Sequence, residues 1–296
     1  MAGKIGWAAL VAVGLLLPFR IYPVLAVDIL VWGLFATAFD IMLGYTGLLS
    51  FGQAAFFGGG AYAAGLLAQR AGVPFPLNAL AGGLAAGLLA LPLMALAIRR
   101  RGIYFAMITL AFGQMVFYVI NEWRSLTGGE NGIQDIPRQA LGGLNISSSI
   151  VYYYAAFPLI VLGLLLCWRI VRSPFGRVLL AIRENDVRTQ TLGYAVNRFK
   201  LLAVVLSCAL SGLAGGIWVI SHGFVALDAV HWTTSGQVVI MVLLGGMGTR
   251  LGPLVGAALF LLLRDFLSTW TDAWGVITGV IFIVVILVFR QGIVGT

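Results

Sequence analysis

The sequence predicts an all-α, polytopic transmembrane helical bundle of about 8–10 spans, interrupted or re-entrant near residues 44–60 and 237–253. Three observations carry this reading. The chain is 61% hydrophobic and only 9% charged, too little charge to cover the surface of a soluble domain. Apolar runs of roughly the 20 residues needed to cross a bilayer recur from end to end, so 1–296 reads as a single membrane-embedded domain. Glycine is abundant, at 39 residues, which suits close helix-to-helix packing in a bundle.

The elements follow from length. Residues 24–43, 77–98, 103–121, 151–171 and 201–220 are long enough to span. Residues 52–67, 251–267 and 274–289 are shorter, and 237–247 is too short to cross without the glycine-rich turn after it. At the N-terminus, Lys4 and the apolar run 5–17 have the form of a signal peptide, whereas Pro18, Arg20 and Pro23 read as a turn between two spans.

Charge gives orientation. The loop 172–200 carries six basic and two acidic residues, and the loop 122–150 carries two basic and three acidic ones. The positive-inside rule places the first in the cytoplasm and the second outside. Arg99-Arg100-Arg101 and Lys4 then fall inside, and ten crossings bring Arg250, Arg290 and both termini inside as well. The net charge of +8 is scattered between apolar runs, which argues against nucleic acid. Cys167 and Cys208 lie in apolar stretches, as buried small side chains do. His222 and His231 share one loop with Asp228 but have no third strong metal ligand beside them, and no serine–histidine pair on facing spans suggests a hydrolase.

Two stretches interrupt the helical pattern. One runs from Gly44-Tyr45-Thr46-Gly47 to Gly58-Gly59-Gly60, the other from Gly245-Gly246 to Gly252-Pro253. A pair of glycine-interrupted segments in two halves of a membrane chain points to a transport path, although each alone could be an ordinary turn. Tyr45, Thr46, Ser50, Gln53, Thr109 and Gln114 are polar groups within or beside apolar runs and, with Gly245 and Gly246, are the candidate lining of that path. Gln53 and Tyr45 rank first because they flank the interruption; the competing role for such groups is joining helix to helix. Asp40 is a carboxylate well inside an apolar run, suited to structure, gating or substrate contact.

Five ordered stretches are similar to the LivM-type permeases of branched-chain amino acid importers. They are 39–58, containing Asp40, Gly44-Tyr45-Thr46-Gly47 and Gly52-Gln53; 101–112, opening Arg101-Gly102-Ile103-Tyr104; 123–132, from Trp123-Arg124 to Thr127-Gly128-Gly129-Glu130-Asn131-Gly132; Ser173-Pro174-Phe175-Gly176-Arg177 through Gly193; and 242–249, Val242-Leu243-Leu244-Gly245-Gly246-Met247-Gly248-Thr249, with Gly252-Pro253. The resemblance covers roughly residues 24 to 293 in order. It implies a multi-pass permease of the bacterial inner membrane, working with a LivH-like partner permease, two cytoplasmic ATPases and a periplasmic binding protein. Substrates across that family are branched-chain and other amino acids, urea, short amides and some aromatic acids. Two departures stand out. Gln53 replaces the His of many members, and Arg188-Thr189-Gln190-Thr191 replaces small Ala-rich residues.

The chain is not expected to be an enzyme or to bind a cofactor. A phosphate-binding loop needs Lys followed by Ser or Thr after a glycine run, and neither Lys4 nor Lys200 has that setting. ATP and magnesium would belong to the partner ATPases. The loop 172–200 is the expected coupling segment, with a short helix over 184–192 capped by Gly193. Arg183, Glu184 and Arg188 would make polar contacts to an ATPase, and Val187 and Leu192 apolar ones. The outer loop 122–150 would dock the binding protein through Arg124, Glu130, Asp135 and Arg138. The alternative reading is an ion-coupled secondary transporter, which usually carries several intramembrane carboxylates, where this chain has Asp40 nearly alone.

Overall fold

A computed structural model describes residues 14–139, 146–270, 274–289 and 292–295. Residues 5–13 of the apolar run 5–17, Lys4 and Arg290 lie outside the described residues. The described chain is helical: α1 (14–20), α2 (Pro23–Thr46), α3 (Gln53–Arg70), α4 (Leu77–Ala97), α5 (Ile103–Glu122), α6 (Arg124–Thr127), α7 (Ser149–Arg172), α8 (Pro174–Glu184), α9 (Asp186–Thr191), α10 (Val196–His222), α11 (Trp232–Gly245), α12 (Gly252–Trp270) and α13 (Trp274–Val288). Six of them, α2, α4, α5, α7, α10 and α12, are long and apolar enough to cross a membrane. The all-α polytopic bundle expected from composition is what the chain forms.

Sequence explains the ends. Pro23 opens α2, where its missing N–H costs nothing, and Gly47 closes it at φ 71°. Ser173 caps α8 by accepting from the Gly176 N–H, and Pro174 follows at the first helical position. Pro92 in α4 and Pro158 in α7 sit inside helices, which membrane bundles tolerate.

The core is built on α2 and α10, apolar on all sides and buried on nearly all of them. Helices α3 and α4 pack against α10 through a layer without side chains. A Cβ on Gly60 would stand 2.4 Å from the Gly212 Cα, and one on Gly82 would stand 2.5 Å from the Gly60 carbonyl oxygen. Such contacts let backbones touch, the usual way apolar helices associate in lipid. The Gly58-Gly59-Gly60 run is therefore interface inside a continuous helix, and the first interruption narrows to 47–52. The second narrows to 246–251, because α11 runs from Trp232, five residues before the expected start, to Gly245, and α12 begins at Gly252.

Two ends of the bundle are distinguished by their contacts. Arg101, after α4, pairs with Asp186 of α9 at 2.9 Å, so Arg99-Arg100-Arg101 and 172–200 lie at one end, as charge predicts. Ile133 and Val225 form an antiparallel bridge at the other. The expected helix over 184–192 is split. Asn185 adopts φ −160°, ψ 102°, ends α8 and caps α9 by accepting from the Arg188 N–H. Gly193, at φ 89°, terminates α9.

Candidate functional site

The first break rests on α5. Thr46 turns its hydroxyl onto the Met42 carbonyl, and the chain leaves the helix at Gly47. The fully buried Ser50 accepts from the Gly52 N–H at 3.2 Å. The Phe51 N–H donates to Thr109 Oγ1 at 3.3 Å, and Thr109 in turn donates to the Ala106 carbonyl at 2.9 Å. Gly52 presses on α5 so closely that a Cβ would stand 2.2 Å from the Thr109 carbonyl oxygen. Irregular backbone inside a membrane bundle persists only when its polar groups are met in this way.

The start of α3 is pinned from two sides. The Ala54 N–H, one of the unpaired donors at a helix start, donates to Ser235 Oγ of α11 at 2.8 Å. Gln53 Nε2 donates to Ser207 Oγ at 3.1 Å and Ser211 Oγ at 2.9 Å, and the Cys208 thiol points at Gln53 Oε1 at 3.8 Å. Ser207 also donates to the Ala38 carbonyl at 2.7 Å. Gln53 is fully buried. Its amide thus ties α3 to α10, and through Ser207 to α2. Sequence reasoning did not find this set. The spacing of Ser207 and Ser211 on one helix face was the available signal, whereas Ser235 offered none.

The second break meets the end of α2. Thr249 stitches it by donating to the Gly246 carbonyl at 2.7 Å and accepting from the Gly252 N–H at 3.1 Å. Gly245 and Gly252 touch backbone to backbone, since a Cβ on Gly245 would lie 1.8 Å from the Gly252 carbonyl oxygen. The buried carboxylate of Asp40 accepts from the Gly248 N–H, at 3.0 and 3.2 Å. The Tyr45 hydroxyl donates to the Gly248 carbonyl at 3.0 Å. A small cavity beside these groups is lined by Thr37, Asp40, Tyr45, Cys167, Thr249 and Arg250. Of the expected path-lining groups, Tyr45, Thr46, Ser50, Thr109, Gly245 and Gly246 therefore gather around the two breaks, while Gln114 stands half-buried on α5.

The arginine-rich end presents α8 and α9. Asp186 accepts from both Arg101 and Lys200, the latter at 3.1 Å with its side chain buried, so α9 is held against α10 and the α4–α5 turn. Glu184, Val187, Arg188 and Leu192 are exposed, and nothing lies near Gly193. Arg183 is exposed too, and its guanidinium donates to the Gly44 carbonyl at the end of α2. That carbonyl is free for it because the turn that follows directs the Gly47 and Leu48 N–H groups to Leu43 and Met42.

At the opposite end, Arg124, Glu130 and Asp135 are exposed. Arg138 is committed elsewhere: it donates to the carbonyls of Ile220 at 3.1 Å and Ser147 at 3.0 Å and to that of Ser221, and its guanidinium covers the Tyr152 ring. It caps the C-terminus of α10, where cations are favoured, and is not a free rim charge. The two histidines part company: His222 Nε2 stands 3.5 Å from Asp28, and His231 Nδ1 stands 2.8 Å from Thr233 Oγ1.

Residues 23–287 match the family model described as the permease component of the branched-chain amino acid transport system. The chain is 31% identical over 281 residues to the high-affinity branched-chain amino acid transport system permease protein LivM of Salmonella typhimurium, covering 86% of this chain and 65% of that protein. The LivM protein of Escherichia coli is 30% identical over the same shares. A guanosine ABC transporter permease of Bacillus subtilis, NupQ, is 31% identical over 44% of this chain and 38% of its own length. The chain thus spans about two thirds, 65%, of the length of the LivM relatives it matches. No solved structure matches it.

Proposed function

Because the chain belongs to the family of branched-chain amino acid transport system permease components, we propose that it is the membrane permease subunit of a binding-protein-dependent ABC importer. It translocates branched-chain amino acids or a related small polar solute, with ATP hydrolysed by partner subunits. The observation that supports this most is the placement of the arginine-rich α8–α9 segment against the end of α2, to whose Gly44 carbonyl Arg183 is bonded, beside the second break at Gly248. A motor gripping that segment has a short path to the backbone that interrupts the bundle.

The arginine-rich end is cytoplasmic by the positive-inside rule, in a bacterial inner membrane, and the 122–150 loop is periplasmic. Exposed Glu184, Val187, Arg188 and Leu192, with Gly193 ending α9, form the face offered to an ATPase. Arg124, Glu130 and Asp135 are the charges left to meet a binding protein, where they set encounter more than affinity. Helix α5 exposes Tyr104, Met107, Met115 and Tyr118 and packs lightly on the rest. That face suits a LivH-like partner permease, with the solute passing between α5, Gln114 and the first break. The relatives named for branched-chain amino acids and for guanosine support polar solutes of different kinds on one scaffold.

The test is reconstitution of the whole complex in proteoliposomes, followed by uptake of labelled leucine with and without internal ATP. Uptake that requires both ATP and the ATPase subunits is expected. Uptake driven by an ion gradient without them would overturn the proposal.

A further inference from the structure

Asp40 is 2% exposed in the middle of a bundle, where a carboxylate is costly unless donors hold it. Its bonded partner is not a side chain but the Gly248 N–H of the second break. Tyr45 takes the carbonyl of the same residue, so both polar groups of one peptide-bearing glycine are held by α2. The approach depends on Gly44. A Cβ there would stand 2.1 Å from Asp40 Oδ1 and 2.6 Å from the Gly248 nitrogen. The Gly44 carbonyl is an unpaired helix-end acceptor, and Arg183 of α8 fills it. The same guanidinium reaches within 3.4 Å of where a Gly248 Cβ would lie. Gly248 is thus enclosed by the Asp40 carboxyl group on one side and the Arg183 guanidinium on another.

We propose that Arg183, Asp40 and Tyr45 form a relay that carries displacement of the α8–α9 segment into the second broken helix. This rests on reading that segment as the one gripped by a partner ATPase. Tight packing favours discrete shifts of bonded units over gradual deformation, so a guanidinium holding the end of α2 moves that end when α8 moves. Asp40 and Tyr45 then pass the movement to Gly248, whose φ of 75° marks a turn already outside helical geometry. Arg183 acts as a positioning residue and touches no solute.

The native thiols, Cys167 and Cys208, are buried, so introduced cysteines can carry spin labels selectively. Labels are placed at Leu180→Cys on α8 and Met247→Cys on the break, each paired with a reference at Tyr154→Cys near the far end of α7; all three positions are exposed. Pulsed electron resonance on the full complex compares the nucleotide-free state with the Mg-ATP-vanadate state. Both distances are expected to shift in the unsubstituted relay. With Arg183→Met, the Leu180 label is expected to shift while the Met247 shift is lost. Arg183→Lys should restore it, because the acceptor is a single carbonyl. Asp40→Asn should retain it, because the amide oxygen still accepts from Gly248, whereas Asp40→Leu should abolish it. A Met247 shift that survives Arg183→Met overturns the relay. If neither label moves in the unsubstituted complex, the docking assignment itself fails, and the relay falls with it for want of anything to transmit.

Discussion

Gln53→Ala separates two roles for the fully buried amide that follows the first break. The side chain is fully buried, and its Nε2 donates to Ser207 and Ser211. Both serines keep acceptors of their own, the carbonyls of Ala38 and Ser207, so the substitution leaves no hydroxyl donor stranded. Each lost hydrogen bond then costs only ~0.5–1 kcal/mol. Truncation also removes four heavy atoms. A residual void of roughly 70 Å³ at about 24 cal/mol per Å³ adds ~1.7 kcal/mol. The sum is about 3 kcal/mol, or about 6–12 °C in Tm at the sensitivity of a large domain. Gln53→Met refills the volume without the bonds and should recover about half of that loss. The assay is a fluorescence melt of the purified complex in detergent, beside leucine uptake in proteoliposomes. A lowered Tm is expected for Gln53→Ala, with uptake reduced in amount and the half-saturating concentration unchanged. An unchanged Tm with an altered half-saturating concentration would show that Gln53 faces the solute instead of tying helices.

Three further outcomes follow from single contacts. Gly52→Ala should lower Tm and uptake together, because its Cβ would sit 2.2 Å from the Thr109 carbonyl oxygen and overpacking of this kind costs ~1–3 kcal/mol; the same melt and uptake assays read it. Asp186→Ala strands Lys200, whose side chain is 5% exposed, and should destabilise the complex toward the lower end of the ~3–5 kcal/mol typical of a broken buried pair, since Asp186 itself is partly open to solvent. Adding Lys200→Met should return most of the lost Tm. Gly193→Pro removes an N–H that donates to the Gln190 carbonyl at 3.0 Å and cannot hold φ 89°. It should leave membrane insertion intact while hydrolysis no longer drives uptake, measured as the ratio of leucine imported to ATP consumed.

Span placement was legible in the sequence because a membrane helix is defined by length and apolarity, and 103–121 or 151–171 needed adjustment by one or two residues only. Glycine was the ambiguous letter. Gly47 and Gly248 serve turns with positive φ, whereas Gly60 and Gly212 serve backbone contact between helices, and a single chain read alone does not show which neighbour a glycine will meet. Asn185 was passed over as a helix interior residue because its cap acts locally on the Arg188 N–H, a competition with helix that only the surrounding turn decides. The charges have partners that spacing does not reveal. Arg138 and Arg183 read as outward contacts, and both also donate to carbonyls at the ends of helices remote in sequence, Ile220 with Ser221 and Gly44. Helix ends always leave such carbonyls unpaired, but which arginine reaches them depends on tertiary placement. Asp40 was legible as unusual and not as the holder of Gly248, 208 residues away.

On the proposed function, α8 and α9 lie on the cytosolic face, where an ATPase grips them. Because both native thiols are buried, a cysteine at the exposed position Val187 (Val187→Cys) reports the side directly with a membrane-impermeant maleimide. Labelling is expected in inverted membrane vesicles and not in sealed spheroplasts. Labelling from the outside of spheroplasts would contradict it.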